Sequence, residues 1–406
     1  MYYWYTLQMT TNTSSVVKAI VSIIFVLVAT LLLLFYNKPS EKKEALFELY
    51  KKTPQELGLT STEWGNYISL LPNQQKILVN GNNDTMLYLL DIYTGTTITL
   101  RGKPFLNSIN DTHIISLEGS GTVHFYDLVS SMEHSLSFPG LVYTAVISPD
   151  NEYVALSTQY GIRIVSLKDY SVSELSKNNQ DAALAWMNNA REILGYRQTK
   201  ENLSEAGFGR VLVVWDITKK TYKDIAVDFP SSALRYIEWV VPDVLARVNA
   251  GFDDGSYDYT LDLENNFVAD LGETSGMVPG GTTIDLDRKE FIAVGKEYSD
   301  INGKISIENV ALKKNMKGTV VARVKFSDTD ERKGVIPIDE NTIAYTKPVF
   351  SSDNKQWTSQ VVLLSFSTAK EKILGTYPGE ILSLVHLKEM QSLLFATPKG
   401  LQRVRY

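Results

Sequence analysis

From about Trp64 onward, apolar and polar positions alternate in short runs broken by turn residues, the period-2 signature of β-strands. The stretch Gly209–Ile225, GRVLVVWDITKKTYKDI, reads as two such runs joined at Thr218-Lys219-Lys220, a hairpin. The same form recurs in MLYLLDIYTGTTITL ending at Leu100, TVHFYDLVSSMEHSLSF at Phe138 and GIRIVSLKDYSVSEL at Leu175. It continues in YDYTLDLENNFVADL at Leu271, KISIENVALKKNMKGTVVARV at Val324 and VVLLSFSTAKEKILGTYP at Pro378. The spacing of roughly 40 to 50 residues is the period of a four-stranded propeller blade rather than of a helical solenoid.

Between these outer hairpins lie inner pairs of the form strand, turn with Pro, Asn or Asp, strand: GNYISLLPNQQKILVNG, YTAVISPDNEYVALSTQYG, ALAWMNNAREILGY, LRYIEWVVPDVLARV, TIDLDRKEFIAVG and GVIPIDENTIAYT. One four-stranded unit cannot bury both of its faces, so such units stack, and a ring removes the exposed ends. The tail ILSLVHLKEMQSLLFATPKGLQRVRY supplies three strands of a further unit, and the segment around Gln55 to Thr60 is the expected source of its fourth. The expected fold is all-β: a β-propeller of four-stranded antiparallel blades, eight with seven as the alternative, preceded by one transmembrane helix.

VVWDI at Val213–Ile217 resembles the third strand of a WD repeat, and SPDNEYVAL at Ser148–Leu156 resembles the inner hairpin of TolB-like and WD-like propeller repeats. The resemblance is one of architecture. Only one unit carries the Trp-Asp pair, and none shows the Gly-His element of a strict WD repeat.

The N-terminal region departs from the strand pattern. AIVSIIFVLVATLLLLFY, Ala19–Tyr36, is uncharged and, with residues 16–18, long enough to cross a hydrocarbon core as a helix. Its bulky end, LLLLFYNKP, is unlike a signal-peptidase site. The expected organisation is a tail over 1–15, a transmembrane helix over 16–36, a stalk over 37–54 and the propeller over 55–406. Orientation cues conflict. Lys18 precedes the span while Lys38, Lys42, Lys43, Lys51 and Lys52 follow it, which favours a cytoplasmic propeller. A short tail, one span and a large domain without cysteine fit a signal anchor with the propeller outside, which is the expectation adopted.

Composition narrows the function. A net charge of −6 gives no basic footprint for nucleic acid, and the absence of cysteine excludes disulfides, thiolate metal sites and a cysteine nucleophile. His113, His124 and His134 fall on successive strands, but counting back from the turns sets His113 opposite Tyr126 and His124 opposite Ser135, so the three do not converge on a metal. DDGSYD at Asp253–Asp258 and DINGK at Asp300–Lys304 lack the full ligand set of a calcium loop and read as hairpin turns. GETSG at Gly272–Gly276 is not a nucleophile elbow. An anchor followed by a propeller resembles the layout of dipeptidyl-peptidase-like hydrolases, although the sequence stops where their catalytic domain would begin. No cofactor or metal is expected.

The links from second to third strand lengthen in the later units: RQTKENLSEAGFGR from Arg197, NAGFDDGSYD from Asn249, KEYSDINGK from Lys296 and KPVFSSDNKQWTSQ from Lys347. All such links emerge on one face of the disc. They carry Phe208, Phe252, Tyr257, Tyr298, Phe350 and Trp357, an aromatic set of the kind partner-binding surfaces present. The function expected is a membrane-tethered, non-enzymatic module that binds a protein, peptide or envelope polymer. The alternative is a glycan hydrolase or lyase with paired carboxylates at the channel mouth, for which Asp253, Asp254 and Glu297 qualify.

Overall fold

Among the described residues, eight antiparallel sheets follow one another along the chain, seven of four strands and a last one of three, each in simple sequence order. The computed structural model describes residues 67–71, 75–80, 86–92, 94–198, 210–225, 233–251, 256–273, 281–301, 304–328, 330–351 and 356–406. The chain divides into two compact units, Met1–Leu49 with Ile92–Gly95 and Tyr50–Asp91 with Thr96–Tyr406, and the sheets belong to the second. Segments 16–36 and 55–60 lie outside the described residues. Among those described, no helix is long and apolar enough to cross a membrane.

The sheets are the blades of an eight-bladed β-propeller: Tyr67–Arg101, Lys103–Ser137, Val142–Glu174, Ala182–Asp224, Ala233–Glu273, Thr282–Lys325, Lys333–Pro378 and Val385–Arg405. First strands of most neighbouring blades touch, as in blades 2 to 5, 6 and 7, and 8 and 1, so they line the inside of the ring. The ring closes where the Ile68 amide of blade 1 donates to Ser383 Oγ, on the link into blade 8, at 2.8 Å. All seven outer hairpins read from the sequence are third and fourth strands, and the six quoted inner pairs are first and second strands.

The core is distributed over the seams between blades. Val154, Leu156 and Val165 of blade 3 pack with Ile115, Val123 and Phe125 of blade 2. Ala155, Ile162 and Ile164, at the intervening positions, pack with Trp186, Ile193, Val213 and Trp215 of blade 4. Alternate side chains of one strand thus serve opposite seams, which is why the middle strands are nearly continuously apolar. The seam between blades 7 and 8 follows the same rule, with Ala344, Val361 and Leu363 against Leu393 and Phe395.

Four of the turns from third to fourth strand, on blades 2 to 5, share one chemistry. Asp127, Asp169, Asp216 and Asp262 each accept backbone N–H groups two or three residues on. The residue that closes the turn is left-handed in each: Ser131, Tyr170, Lys220 and Asn266, with φ of 58°, 57°, 56° and 49°. The aspartate of VVWDI is therefore a turn former in this chain. A first strand has a ladder partner on one side only, so some of its carbonyls need another donor. Two tryptophans supply it: Trp186 Nε1 donates to Val146 O of blade 3 at 2.8 Å, and Trp239 Nε1 donates to Trp186 O at 2.7 Å.

Candidate functional site: the face of the second-to-third-strand hairpins

In a four-stranded meander, second-to-third hairpins and blade-to-blade links emerge together on one face of the disc. On blades 6 and 7 these hairpins extend the strands beyond their neighbours. The ladder of Glu290–Ile301 with Lys304–Asn315 runs out to the pair Ile301 and Lys304, and that of Thr342–Ser351 with Gln356–Ser365 to Ser351 and Gln356. The first strands pair only as far as Ala293 and Thr346. The segments expected to be polar loops from Lys296 and Lys347 are therefore largely projecting β-ribbon, as the alternation in KISIEN and PVFS/QWTS favours. Within DINGK, Asp300 and Ile301 end one ribbon strand and Lys304 begins the next.

The six aromatic residues of the expected surface separate. Phe350 and Trp357 come together as a directly opposed cross-strand pair on the blade 7 ribbon. Their ring centroids lie 5.2 Å apart with planes tilted by 55°, and Phe350 is 49% exposed. Val349 beside them is exposed as well. Tyr257 does not join them: it packs against the core seam of blades 4 and 5, because the ladder opposite Ala250 turns its ring inward. Tyr298 falls in a ribbon strand opposite Ile307. Phe208 and Phe252 lie outside the described residues.

The base of the blade 7 ribbon is held by charge. Lys347 Nζ sits 2.9 Å from Asp328 Oδ2 and 2.8 Å from Asp330 Oδ2, on the link from blade 6. Burial works to raise the Asp328 carboxyl, but its bond from Lys347 and the charge of Arg332 hold it below the usual carboxylate range. Arg332 is buried with its guanidinium 3.5 Å from the centre of the Phe326 ring and donates to the Asp330 carbonyl at 2.9 Å. These contacts fix the direction in which the Phe350–Trp357 pair is presented.

A second cluster lies on a short link, which no long loop marks in the sequence. On blade 3 the second-to-third turn is only Gln159-Tyr160, since Thr158 pairs with Gly161. Leu141, Tyr143 and Tyr160 are all exposed there. The Gln159 amide donates to Leu141 O at 2.8 Å, and the ladder skips Tyr143 between Val142 and Thr144, a bulge that throws its side chain out of the seam. Gly161, at φ +100°, follows because a Cβ there would stand 2.1 Å from Ser176 O. The available signal was the pair of glycines, Gly140 and Gly161, bracketing aromatic residues.

Near these clusters several of the described basic side chains are matched. Arg163 and Lys177 meet Glu174, while on blade 6 Arg323 donates to Glu297 and Glu308, and Lys325 meets Glu308. Glu297 is thus turned to the outermost strand and not to the centre of the ring. Asp258 is buried against Arg247, and Asp253 and Asp254 lie outside the described residues.

The histidines of blade 2 diverge as the pairing argument requires, with one correction. His124 is opposite Ser135, but His113 is opposite Asp127 and not Tyr126, because the turn has three residues, Glu118 pairing with Thr122. Both ring nitrogens of His124 face carboxylates, Glu118 and Glu133, at 2.9 Å. Among the described residues no group of three or more His, Asp or Glu side chains is arranged to hold a metal ion.

Comparison with known proteins places the chain among propellers. The Dos1 propeller superposes with a TM-score of 0.56 at 11% identity, over 85% of this chain and 92% of that one. Dipeptidyl peptidase 4 of Porphyromonas gingivalis superposes at 0.51 and 12% identity, over 82% of this chain and 56% of that one. The dihydro-heme d1 dehydrogenase NirN superposes at 0.50 and 12% identity, over 77% and 66%. This chain therefore spans just over half of the peptidase and about two thirds of the dehydrogenase. At these identities the likeness is one of fold. No protein-family model and no curated protein sequence matches the chain. The WD-like and TolB-like resemblance of the hairpins accordingly stands at the level of the propeller class.

Proposed function

We propose that the protein is a non-enzymatic propeller module that docks a protein or peptide on its second-to-third-hairpin face, while a helix over residues 16–36 tethers it to a membrane with the propeller outside the cytoplasm. The carrying observation is the pair of exposed Phe350 and half-buried Trp357 on a ribbon whose base is held by Lys347, Asp328 and Asp330. Large aromatic rings are the usual centres of binding energy. Two rings tilted by 55° form a notch for an apolar side chain rather than the flat platform that stacks a sugar, which favours a polypeptide over an envelope polymer. The glycan-hydrolase alternative draws no support from Glu297, which is occupied by Arg323.

The test uses a photocrosslinking amino acid at Gln356 to recover the partner, followed by titration of the purified partner. Phe350→Ala/Trp357→Ala is expected to weaken binding by at least about 30-fold while leaving the unfolding temperature unchanged. Unaltered affinity would reject the surface.

The tether rests on the apolar run alone and has its own test. A single cysteine placed after Tyr406 in this cysteine-free chain is expected to react with a membrane-impermeant maleimide on intact cells. Reaction only after lysis would place the propeller in the cytoplasm, as the lysine count favours.

A further inference from the structure

The ring closes on blade 8, and a half-buried histidine stands at that blade's seam with blade 7. Ser383, whose hydroxyl accepts the Ile68 amide of blade 1, leads into the short first strand Val385–Leu387, which carries His386. His386 Nε2 lies 2.7 Å from the hydroxyl of Tyr406, which follows the blade's last strand, Gly400–Arg405. Tyr406 lies with Ile336 and Ile338 of blade 7 against the cluster of Ile381, Leu384 and Leu393. The bond thus joins the first and last strands of blade 8 on the side that packs on blade 7. We propose that it is a pH-sensitive latch: neutral His386 holds Tyr406 and the seam of blades 7 and 8 together, and protonation of its ring in mildly acidic surroundings loosens the blade that closes the ring.

Proton positions explain the sensitivity. A neutral imidazole has one N–H donor and one acceptor nitrogen. The ring also meets the backbone of Pro337 in blade 7, where only the carbonyl can take part because proline has no N–H. Nδ1 therefore carries the proton, and Nε2 accepts from the Tyr406 hydroxyl. Protonation adds a hydrogen at Nε2, so the hydroxyl has to turn a lone pair to the ring and find another acceptor for its own hydrogen. The new charge also stands in a half-buried seam beside a cation, Lys388, whose own counter-ion, Asp287 of blade 6, is 3.7 Å from it. Other ionisable groups around the seam do not compensate. Asp339 of the blade 7 turn acts on Tyr406, Glu340 and Glu389 are exposed, and Arg403 and Arg405 alternate with Val404 and Tyr406 onto the other side of their strand.

Burial, with Lys388 beside it, holds the His386 imidazole below the ordinary histidine value, against the opposing effect of the Pro337 carbonyl. A base whose pKa falls on folding is charged first in the unfolded chain. The stabilisation is therefore complete above about pH 6.5 and is lost as pH falls from there through the lowered value of the folded protein. His113 of blade 2 is also lowered by burial, but there the charge of Asp127 works against the shift.

Native-state hydrogen exchange on the full chain reads the blades separately. With intrinsic exchange rates divided out, the amides of Ser392–Thr397 in blade 8 are expected to lose protection by about threefold or more between about pH 7.5 and about pH 5.5, while those of Tyr153–Thr158 in blade 3 hold. His386→Gln, which does not titrate and keeps a donor and an acceptor, is expected to abolish the loss. Should that variant fail to fold, the histidine ring resonances of the unaltered chain give a second reading, with His386 expected to titrate below about 6.5. Blade 8 protection indifferent to pH, a loss shared equally by blade 3, a loss that persists in His386→Gln, or a His386 ring titrating at or above about 6.5 would overturn the latch.

Discussion

Replacing Asp258 by asparagine is expected to lower the unfolding free energy by about 3–5 kcal/mol, the usual consequence of leaving one member of a buried ion pair without its counter-charge. Asp258 is fully buried, and the Arg247 side chain is 6% exposed. The pair is bidentate, Nε to Oδ1 at 3.0 Å and a terminal nitrogen to Oδ2 at 2.8 Å. The same terminal nitrogen donates to Thr282 Oγ1 at 2.8 Å, tying blade 5 to the first strand of blade 6. Burial alone would push the Arg247 guanidinium down, but the Asp258 charge more than offsets this and its pKa is raised. Arg247→Met should therefore destabilise as strongly as Asp258→Asn. The double change Arg247→Met/Asp258→Leu should recover most of the loss, because it removes both desolvated charges together. Denaturant unfolding of the three variants measures this; single-variant losses below about 1 kcal/mol would show that the pair does not hold the seam.

Trp186→Ala is expected to cost about 3–5 kcal/mol, as for other large-to-small changes in a packed interior. The ring fills the seam between blades 3 and 4 with Ile162, Ile193 and Trp215, and its indole N–H serves the Val146 carbonyl. Trp186→Phe separates the two roles. It keeps most of the apolar volume and orphans the carbonyl, for an expected cost of about 1–3 kcal/mol. Trp239→Phe should behave like Trp186→Phe, since it orphans Trp186 O in the same way. Thermal and denaturant unfolding of the three variants would check the order; a phenylalanine variant as damaging as the alanine one would mean that the hydrogen bond outweighs the packing.

The propeller was legible because its determinants are local. Period-2 alternation, a turn-forming aspartate at the end of many third strands, and a near-constant spacing are all written into contiguous residues, so the seven outer hairpins stand out in the sequence. Register was less secure. His113 was misplaced by one position because Gly119–Gly121 forms a three-residue turn where a two-residue turn was assumed, and composition does not separate the two. The site was read in part. Phe350 and Trp357 were found because they flank a long link, but that link is mostly strand, since β-branched and aromatic residues continue the ladder past the blade. Tyr257 was assigned to the surface because sequence does not say which side of a ribbon faces a seam. The blade 3 cluster depends on a bulge at Tyr143, a feature of pairing that leaves no mark in the pattern of one strand.

The most direct measurement compares the two faces of the disc for binding to the purified partner. Phe350→Ala/Trp357→Ala alters the hairpin face, and Val129→Ala/Leu286→Ala alters exposed residues on turns of the opposite face. The expected result is a loss of at least about 30-fold for the first variant and unchanged affinity for the second, with both chains as stable as the original. Equal affinities for the two variants, or a loss confined to Val129→Ala/Leu286→Ala, would contradict the assignment of binding to the second-to-third-strand face.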